Sequence, residues 1–234
     1  MSPGSGRAAT AAALVAISAA LAVPALAAAE AKKKKPTNAA LRKAFENNAR
    51  SVVEVVGPHR SGAGVVVGAS GHVLTSVDYV SLEEAVVRIE GQSLRARVVM
   101  ASADLKAAVV VVDVPKAAGA GASGPTDGGA GVPTFRAPAV RLDETYVEGT
   151  ELVAIARDSS GALQPRLTAI LRGRKVTSPF VEVNVPLPNG TPLFDAQGRL
   201  VALAVQRRKQ SSRALPVPEV KGQLEQAAQA AAAR

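Results

Sequence analysis

The period of the hydrophobic pattern is the feature that most limits how this chain can fold. Between Val52 and Val114, six short runs rich in valine follow one another, and glycine, serine or charged residues separate them. We predict strands at residues 52–56, 64–67, 72–75, 85–89, 94–100 and 107–114. Short strands at this close spacing are typical of a small antiparallel barrel.

A second set of short runs follows a segment rich in glycine, alanine and proline. Residues 116–138 contain the sequence AAGAGASGPTDGGAGVP, which has no apolar periodicity and is typical of a flexible linker. After it we predict strands at 151–157, 164–171, 180–185, 191–194, 200–206 and 213–216. The pattern therefore predicts an all-β protein of two six-stranded antiparallel barrels, at 38–114 and 139–217, with the linker at 115–138.

The beginning of the chain has the pattern of an export signal. Arg7 precedes an uncharged run at 8–23, and small residues near 27–31 suit cleavage, so we predict a signal peptide at 1–31 and a periplasmic or secreted protein. A basic linker at 32–37 follows, with a run of four lysines: Lys32, Lys33, Lys34 and Lys35. Because positive charge after an apolar run opposes translocation of the following chain, an uncleaved membrane anchor with the rest of the protein in the cytoplasm is the alternative.

Helices are predicted on both sides of the barrels. Thr37 is a suitable N-cap, and Leu41, Ala44 and Phe45 have helical spacing, which predicts a helix at 38–50. The alanine-rich end of the chain predicts a closing helix at 218–234.

The composition limits the possible partners and cofactors. A net charge of +9 and an isoelectric point near 10.3 suit an acidic partner, such as nucleic acid, anionic lipid or an acidic polypeptide. An aromatic content of 3% without tryptophan leaves few platforms for base stacking, so we expect no specific nucleic-acid binding. With no cysteine and only His59 and His72, the chain has no disulfide, no thiol nucleophile, no cysteine-based zinc site and no histidine-rich metal site. We assign no metal ligands and expect no cofactor.

The segment NVPLPNGTPLFD at 184–195 resembles the nucleophile loop of trypsin-like serine proteases of the HtrA type, which reads GNSGGPL. When Pro192 and Leu193 are aligned, the five preceding family positions fall on Leu187, Pro188, Asn189, Gly190 and Thr191. The resemblance thus places Asn189 where the family has its nucleophilic serine. An amide has no hydroxyl to deprotonate, so it cannot form an acyl-enzyme.

Two further segments resemble the surroundings of the other catalytic residues. SGAGVVVGASGHVLTS is similar to the family's strand, turn and strand before a TNNHVV-like segment, which places Asp78 at the position of the catalytic histidine. A carboxylate lacks the second nitrogen through which a third residue orients the base. ADLKAAVVVVDV resembles a DLAVLKV-like strand and retains the family's aspartate as Asp104, which can equally bond nearby backbone N–H groups. The resemblance extends over 38–226 and includes an ALPVPEV segment similar to the family's FAIP strand.

Besides the nucleophile and the base, the resemblance implies that stabilisation of the oxyanion is also damaged. At the position of Leu187 the family has a glycine, and the N–H of that glycine binds the oxyanion. The backbone conformation that directs this N–H is resisted by a bulky residue, and the following Pro188 restricts Leu187 towards extended conformations. Loss of one such donor costs a factor of roughly 100 to 1000 in rate. We therefore expect an inactive relative that binds an extended peptide or an envelope protein.

Three questions remain open at the level of the sequence. A divergent endopeptidase could use a displaced hydroxyl, for which Thr191, Ser178 and Ser102 are candidates. Alternatively, the protein could be a basic scaffold that binds anionic envelope polymer or lipid through its lysine run. Finally, Asp78, Asp104 and Asn189 would converge in the family's fold, where they could bind calcium or magnesium, or share a proton and hydrogen bonds, which we favour.

Overall fold

The computed structural model describes residues 38–113 and 134–225, except 69, 82, 83, 142, 144, 159, 176, 223 and 224. The predicted signal peptide, the basic linker at 32–37 and most of the linker at 115–138 lie outside the described residues. Within the described part of the chain, no helix combines the length and the apolar character that crossing a bilayer requires.

The first barrel contains six antiparallel strands. They are β1 Val52–Val56, β2 Ser61–Val66, β3 His72–Ser76, β4 Glu84–Ile89, β5 Gln92–Ser102 and β6 Ala107–Val112. The sheet closes in the order β1-β2-β3-β6-β5-β4. Alternate residues of β4, namely Ala85, Val87 and Ile89, are buried in the barrel, as the two-residue period of a strand requires.

The second barrel repeats this arrangement. Its strands are β7 Glu151–Arg157, β8 Leu163–Arg172, β9 Val181–Val183, β10 Pro192–Phe194, β11 Leu200–Arg207 and β12 Ser212–Pro216. They close in the order β10-β11-β12-β9-β8-β7. Leu152, Ile170, Val183 and Leu193 belong to its internal core.

A separate apolar core joins the two barrels. Strand β6 is buried along its whole length because its residues alternate between two cores: Val110 packs inside the first barrel, whereas Val109 packs with Phe194 and Leu203 of the second. Ala44 of helix α1, Asn38–Asn48, completes this shared core. Since each fully buried side chain of this kind contributes about 1.5–3 kcal/mol, the shared core holds the two barrels together.

The prediction of an all-β fold with two six-stranded antiparallel barrels, an N-terminal helix and a C-terminal helix is confirmed. Some boundaries differ. Helix α1 ends at Asn48 and is followed by a 3-10 turn, Ala49–Ser51, where Asn48 Nδ2 donates to the carbonyl of Ala44. The C-terminal helix begins at Pro218, a favourable first position for proline, and its predicted end lies outside the described residues.

Candidate functional site

Asp78 lies in a short turn directly after β3, at the edge of the first barrel. The 3-10 turn Val77–Tyr79 begins at Ser76, whose Oγ accepts the backbone N–H of Asp78 at 3.3 Å. One carboxylate oxygen of Asp78 pairs with the guanidinium of Arg60 at 3.2 Å. The side chain remains 31% exposed, so solvent screens this ion pair.

Asn189 fills the space between Asp78 and the second barrel. Its Nδ2 donates to Oδ2 of Asp78 at 2.6 Å, and its Oδ1 accepts the backbone N–H of Arg207 at 3.0 Å. The hydroxyl of Tyr79 donates to the backbone carbonyl of Asn189 at 3.0 Å. Both ends of the amide side chain are therefore occupied, and the residue links the turn after β3 with the end of β11.

The loop that carries Asn189 approaches the first barrel at Gly190. This glycine has φ of +77°, and a Cβ placed on it would lie 2.0 Å from the carbonyl oxygen of Ala63 in β2. Its N–H donates to the carbonyl of Ala204 at 2.6 Å. Only glycine satisfies both the backbone conformation and this close approach.

The N–H of Leu187 points into the second barrel. It donates to Oγ of Ser212 at 2.7 Å, and both residues have 0% exposure. The Leu187 side chain belongs to the barrel core, together with Leu193. In this arrangement the N–H is already used by an internal acceptor and cannot also serve an anion in the cleft.

Tyr79 has a pKa above its usual value of 10.0. Burial of the side chain is the main cause; Arg60 opposes the shift, and the negative charge of Asp78 adds to it. The guanidinium of Arg60 lies 6.0 Å from the centre of the Tyr79 ring, within the range of a cation–π contact. At neutral pH Tyr79 is therefore a neutral donor to Asn189.

The structure does not bring Asp104 into this network. Asp104 is exposed in the turn between β5 and β6, and it makes no hydrogen bond or ion pair with Asp78 or Asn189. The expected convergence of the three residues is thus reduced to a contact between two of them. Among the described residues, no group of three histidines and carboxylates is arranged to hold a metal ion.

Two of the three candidate displaced hydroxyls have ordinary structural positions. Ser102 Oγ accepts the N–H of Leu105 at 3.2 Å, and Ser178 Oγ accepts the N–H of Phe180 at 3.4 Å. The Oγ1 of Thr191 is buried and has no hydrogen-bond partner within the described ranges. The contacts of Ser102 and Ser178 are typical of turn formation.

A serine–histidine contact that the sequence did not indicate lies elsewhere on the first barrel. Ser70 Oγ is 2.9 Å from Nδ1 of His72, at the turn before β3. The other ring nitrogen of His72 is buried and finds no partner in the part of the chain that the structure describes. Since Asp78 follows the opposite end of β3, the pair is roughly 13 Å or more from the Asp78–Asn189 contact along the strand.

Sequence reasoning missed four residues that shape the site. The sequence did not indicate that Tyr79, Arg207 and Ser212 contact the loop, or that Arg60 pairs with Asp78. Tyr79 had one available signal, because it directly follows Asp78 in the sequence. The contacts of Ser212 and Arg207 depend on how β11 and β12 meet the loop, which no local pattern indicates.

Comparison with known proteins supports the fold. No protein-family model matches the chain, and no curated protein matches its sequence. Among solved structures, the crystal structure of the serine endoprotease from Yersinia pestis is similar with a TM-score of 0.64 and 17% identity. The alignment covers 82% of this chain and 67% of the other. Together with the two closed barrels, this similarity shows that the chain has a trypsin-like serine protease fold.

Proposed function

We propose that this protein is an exported, HtrA-type relative of the trypsin-like serine proteases that has lost catalysis and binds a peptide or protein in the envelope. The observation that carries the proposal is the 2.6 Å hydrogen bond from Asn189 Nδ2 to Asp78 Oδ2. The resemblance puts these residues at the positions of the nucleophile and the base. An amide and a carboxylate in contact form a stable hydrogen bond, but neither supplies a hydroxyl or an imidazole.

The backbone around Asn189 supports the same proposal. Acyl transfer needs N–H donors directed at the developing oxyanion, and loss of one donor costs a factor of roughly 100 to 1000. The N–H of Leu187 instead donates to buried Ser212. Restoring a hydroxyl at position 189 would therefore leave anion stabilisation incomplete.

The contacts of Asn189 also limit how a partner binds. An extended peptide that pairs with an exposed strand edge is one general mode of recognition. At the end of β11, the N–H of Arg207 is already bonded to the Asn189 amide. A peptide that pairs with this N–H must therefore displace the Asn189 amide.

Export and envelope attachment are part of the proposal. The residues at 1–31 would direct export, with an uncleaved anchor as the alternative. Lys32, Lys33, Lys34 and Lys35 would add a weak electrostatic attraction to an anionic envelope surface. Deleting these four lysines separates binding from attachment: loss of envelope association with unchanged peptide binding would favour the scaffold function.

A divergent endopeptidase is the second candidate, and the Ser70–His72 contact is the observation that favours it. In a serine triad, a third group accepts a hydrogen bond from the second nitrogen of the histidine. Nε2 of His72 is buried without such a partner among the described residues. We therefore give this candidate the lower rank.

Turnover measurements distinguish the two candidates. We expect the purified protein to hydrolyse casein and p-nitrophenyl acetate no faster than its own Asn189→Ala and Ser70→Ala variants. A rate that one of these substitutions abolishes would identify an active hydrolase and reject the proposed loss of catalysis.

A further inference from the structure

A cavity of about 490 Å³ opens on the second barrel. The loop that follows β8 forms one wall, and the residues around the turn between β11 and β12 form the other. Arg208 lines the cavity and directly follows Arg207, whose N–H holds the Asn189 amide. The cavity lining is thus connected to the Asp78–Asn189 contact only through the neighbouring residues Arg207 and Arg208.

The lining of the cavity is strongly basic. Its charged members are four cations and one carboxylate, which gives a formal charge of +3: Arg172, Lys175, Arg208, Arg213 and Glu182. Phe180, Pro179 and Val181 add an apolar part to the wall. A volume of this size lies within the range of pockets that bind small ligands or a few side chains.

Glu182 neutralises only part of this charge. It accepts a hydrogen bond from Ser211 Oγ at 2.7 Å and pairs with Arg208 at 3.4 Å. Its pKa lies below the usual 4.5, first because of the Ser211 hydrogen bond, against the effect of burial, and then because of nearby arginines, including Arg172 and Arg213. A carboxylate is therefore stabilised at this place by the surrounding groups.

Two arginines of the cavity are available to bind a ligand. Arg213 is held with its guanidinium 5.8 Å from the centre of the Phe180 ring, which limits its conformational freedom. Arg172 is exposed and forms no hydrogen bond or ion pair with another described residue. The guanidinium group presents its donors in a planar fork that matches the two oxygens of a carboxylate.

We infer that this cavity binds an acidic peptide segment, whose aspartate or glutamate carboxylates pair with Arg172 and Arg213 while its neighbouring residues contact Phe180. The inference rests on the proposed binding function and names the chemistry of the partner. A peptide fits better than a membrane surface, because the arginines line a cavity together with apolar residues, whereas a bilayer is contacted by projecting residues.

Fluorescence anisotropy with the full chain tests this inference. The probe is fluorescein-labelled hexaglutamate, and labelled hexaglutamine is the uncharged control peptide. We expect hexaglutamate to bind with an affinity that falls as salt is added, and hexaglutamine to bind at least about tenfold more weakly. Vesicles containing phosphatidylglycerol provide the membrane comparison.

Two arginines of β8 provide a matched pair of variants. Arg172→Glu and Arg166→Glu change the same exposed strand by the same charge, but only Arg172 lines the cavity. We expect Arg172→Glu to weaken hexaglutamate binding about tenfold or more, and Arg166→Glu to change it less than about twofold. Equal effects of the two variants would show binding by general charge and overturn the assignment.

Other outcomes distinguish this inference from the proposed function. If the full chain binds the vesicles in an Arg172-dependent way but not hexaglutamate, the cavity recognises lipid and the peptide assignment is wrong. If it binds neither probe and still hydrolyses no casein, the cavity assignment fails while the loss of catalysis stands. If hexaglutamate binds as expected but casein is hydrolysed, the cavity stands and the proposed loss of catalysis fails.

Discussion

The backbone N–H of Leu187 donates to Oγ of Ser212 at 2.7 Å inside the second barrel, where both residues are completely buried. The bond connects the loop before Asn189 to strand β12 and fixes the direction of the Leu187 peptide. In the proposed relation to trypsin-like proteases, this N–H occupies the position of an oxyanion donor. The contact stabilises the fold by using a group that catalysis would need.

Replacing Ser212 with alanine should destabilise the protein. The N–H of Leu187 would be buried without an acceptor, which costs about 1–3 kcal/mol. Urea unfolding measures the loss, with Ser93→Ala as the control because Ser93 is exposed on β5. We expect the control to stay within about 0.5 kcal/mol of the parent protein. Equal stability of the two variants would contradict the importance of this bond.

Gly190→Ala should lower the stability of the protein more than the same substitution at Gly91, another glycine with a positive φ. Gly91 has φ of +83° and open space where its Cβ would be, so Gly91→Ala reports the backbone strain alone, about 1–2 kcal/mol. At Gly190 the added Cβ also meets the Ala63 carbonyl at 2.0 Å. We expect a total loss of at least about 3 kcal/mol in urea unfolding. A loss no larger than that of Gly91→Ala would show that the loop does not pack on β2 as described.

Much of the fold was predictable because short valine-rich runs separated by turn residues mark most of the barrel strands, but contacts between segments were not. Strand β2 begins at Ser61, three residues before the predicted start at Gly64, because Ser61 and Gly62 are residue types that usually separate strands. A Cβ on Gly62 would lie 2.1 Å from the Tyr79 ring, so this glycine belongs to the strand and provides space for the ring.

Strand β9 is shorter than predicted for a similar reason. It ends at Val183, because Asn184 Oδ1 accepts bonds from Thr168 Oγ1 and Ala169 N at the point where the chain leaves the sheet. In the candidate site, the resemblance of the surrounding segments indicated that Asp78 and Asn189 belong to one site. The contacts of these residues with Arg207 and Tyr79 arise only when the two barrels assemble.

Tyr79→Phe should reduce stability in a manner that depends on pH. Loss of the hydrogen bond to the Asn189 carbonyl should cost about 1 kcal/mol at pH 8. Because the folded pKa of Tyr79 is raised above 10.0, its contribution is fully present below that value and is lost as the pH rises through the folded pKa. Urea unfolding of both proteins between pH 8 and 11 should show the difference shrinking above pH 10. A difference that is independent of pH would reject this role.

Restoring the missing side chains should not restore activity. The double variant Asp78→His, Asn189→Ser would regain a base and a nucleophile, but the N–H of Leu187 would still donate to Ser212, and Asp104 remains exposed. We expect casein hydrolysis to stay indistinguishable from that of the parent protein. The appearance of protease activity in this variant would show that the oxyanion donors are intact.

The most direct test of the central claim is the mass of the intact protein after treatment with a serine-directed fluorophosphonate. The reagent forms a covalent adduct only with an activated hydroxyl, and Asn189 offers none where the resemblance places the nucleophile. We expect an unchanged mass for the purified protein. A stoichiometric adduct, whether on Ser70 or on another residue, would contradict the proposed loss of catalysis.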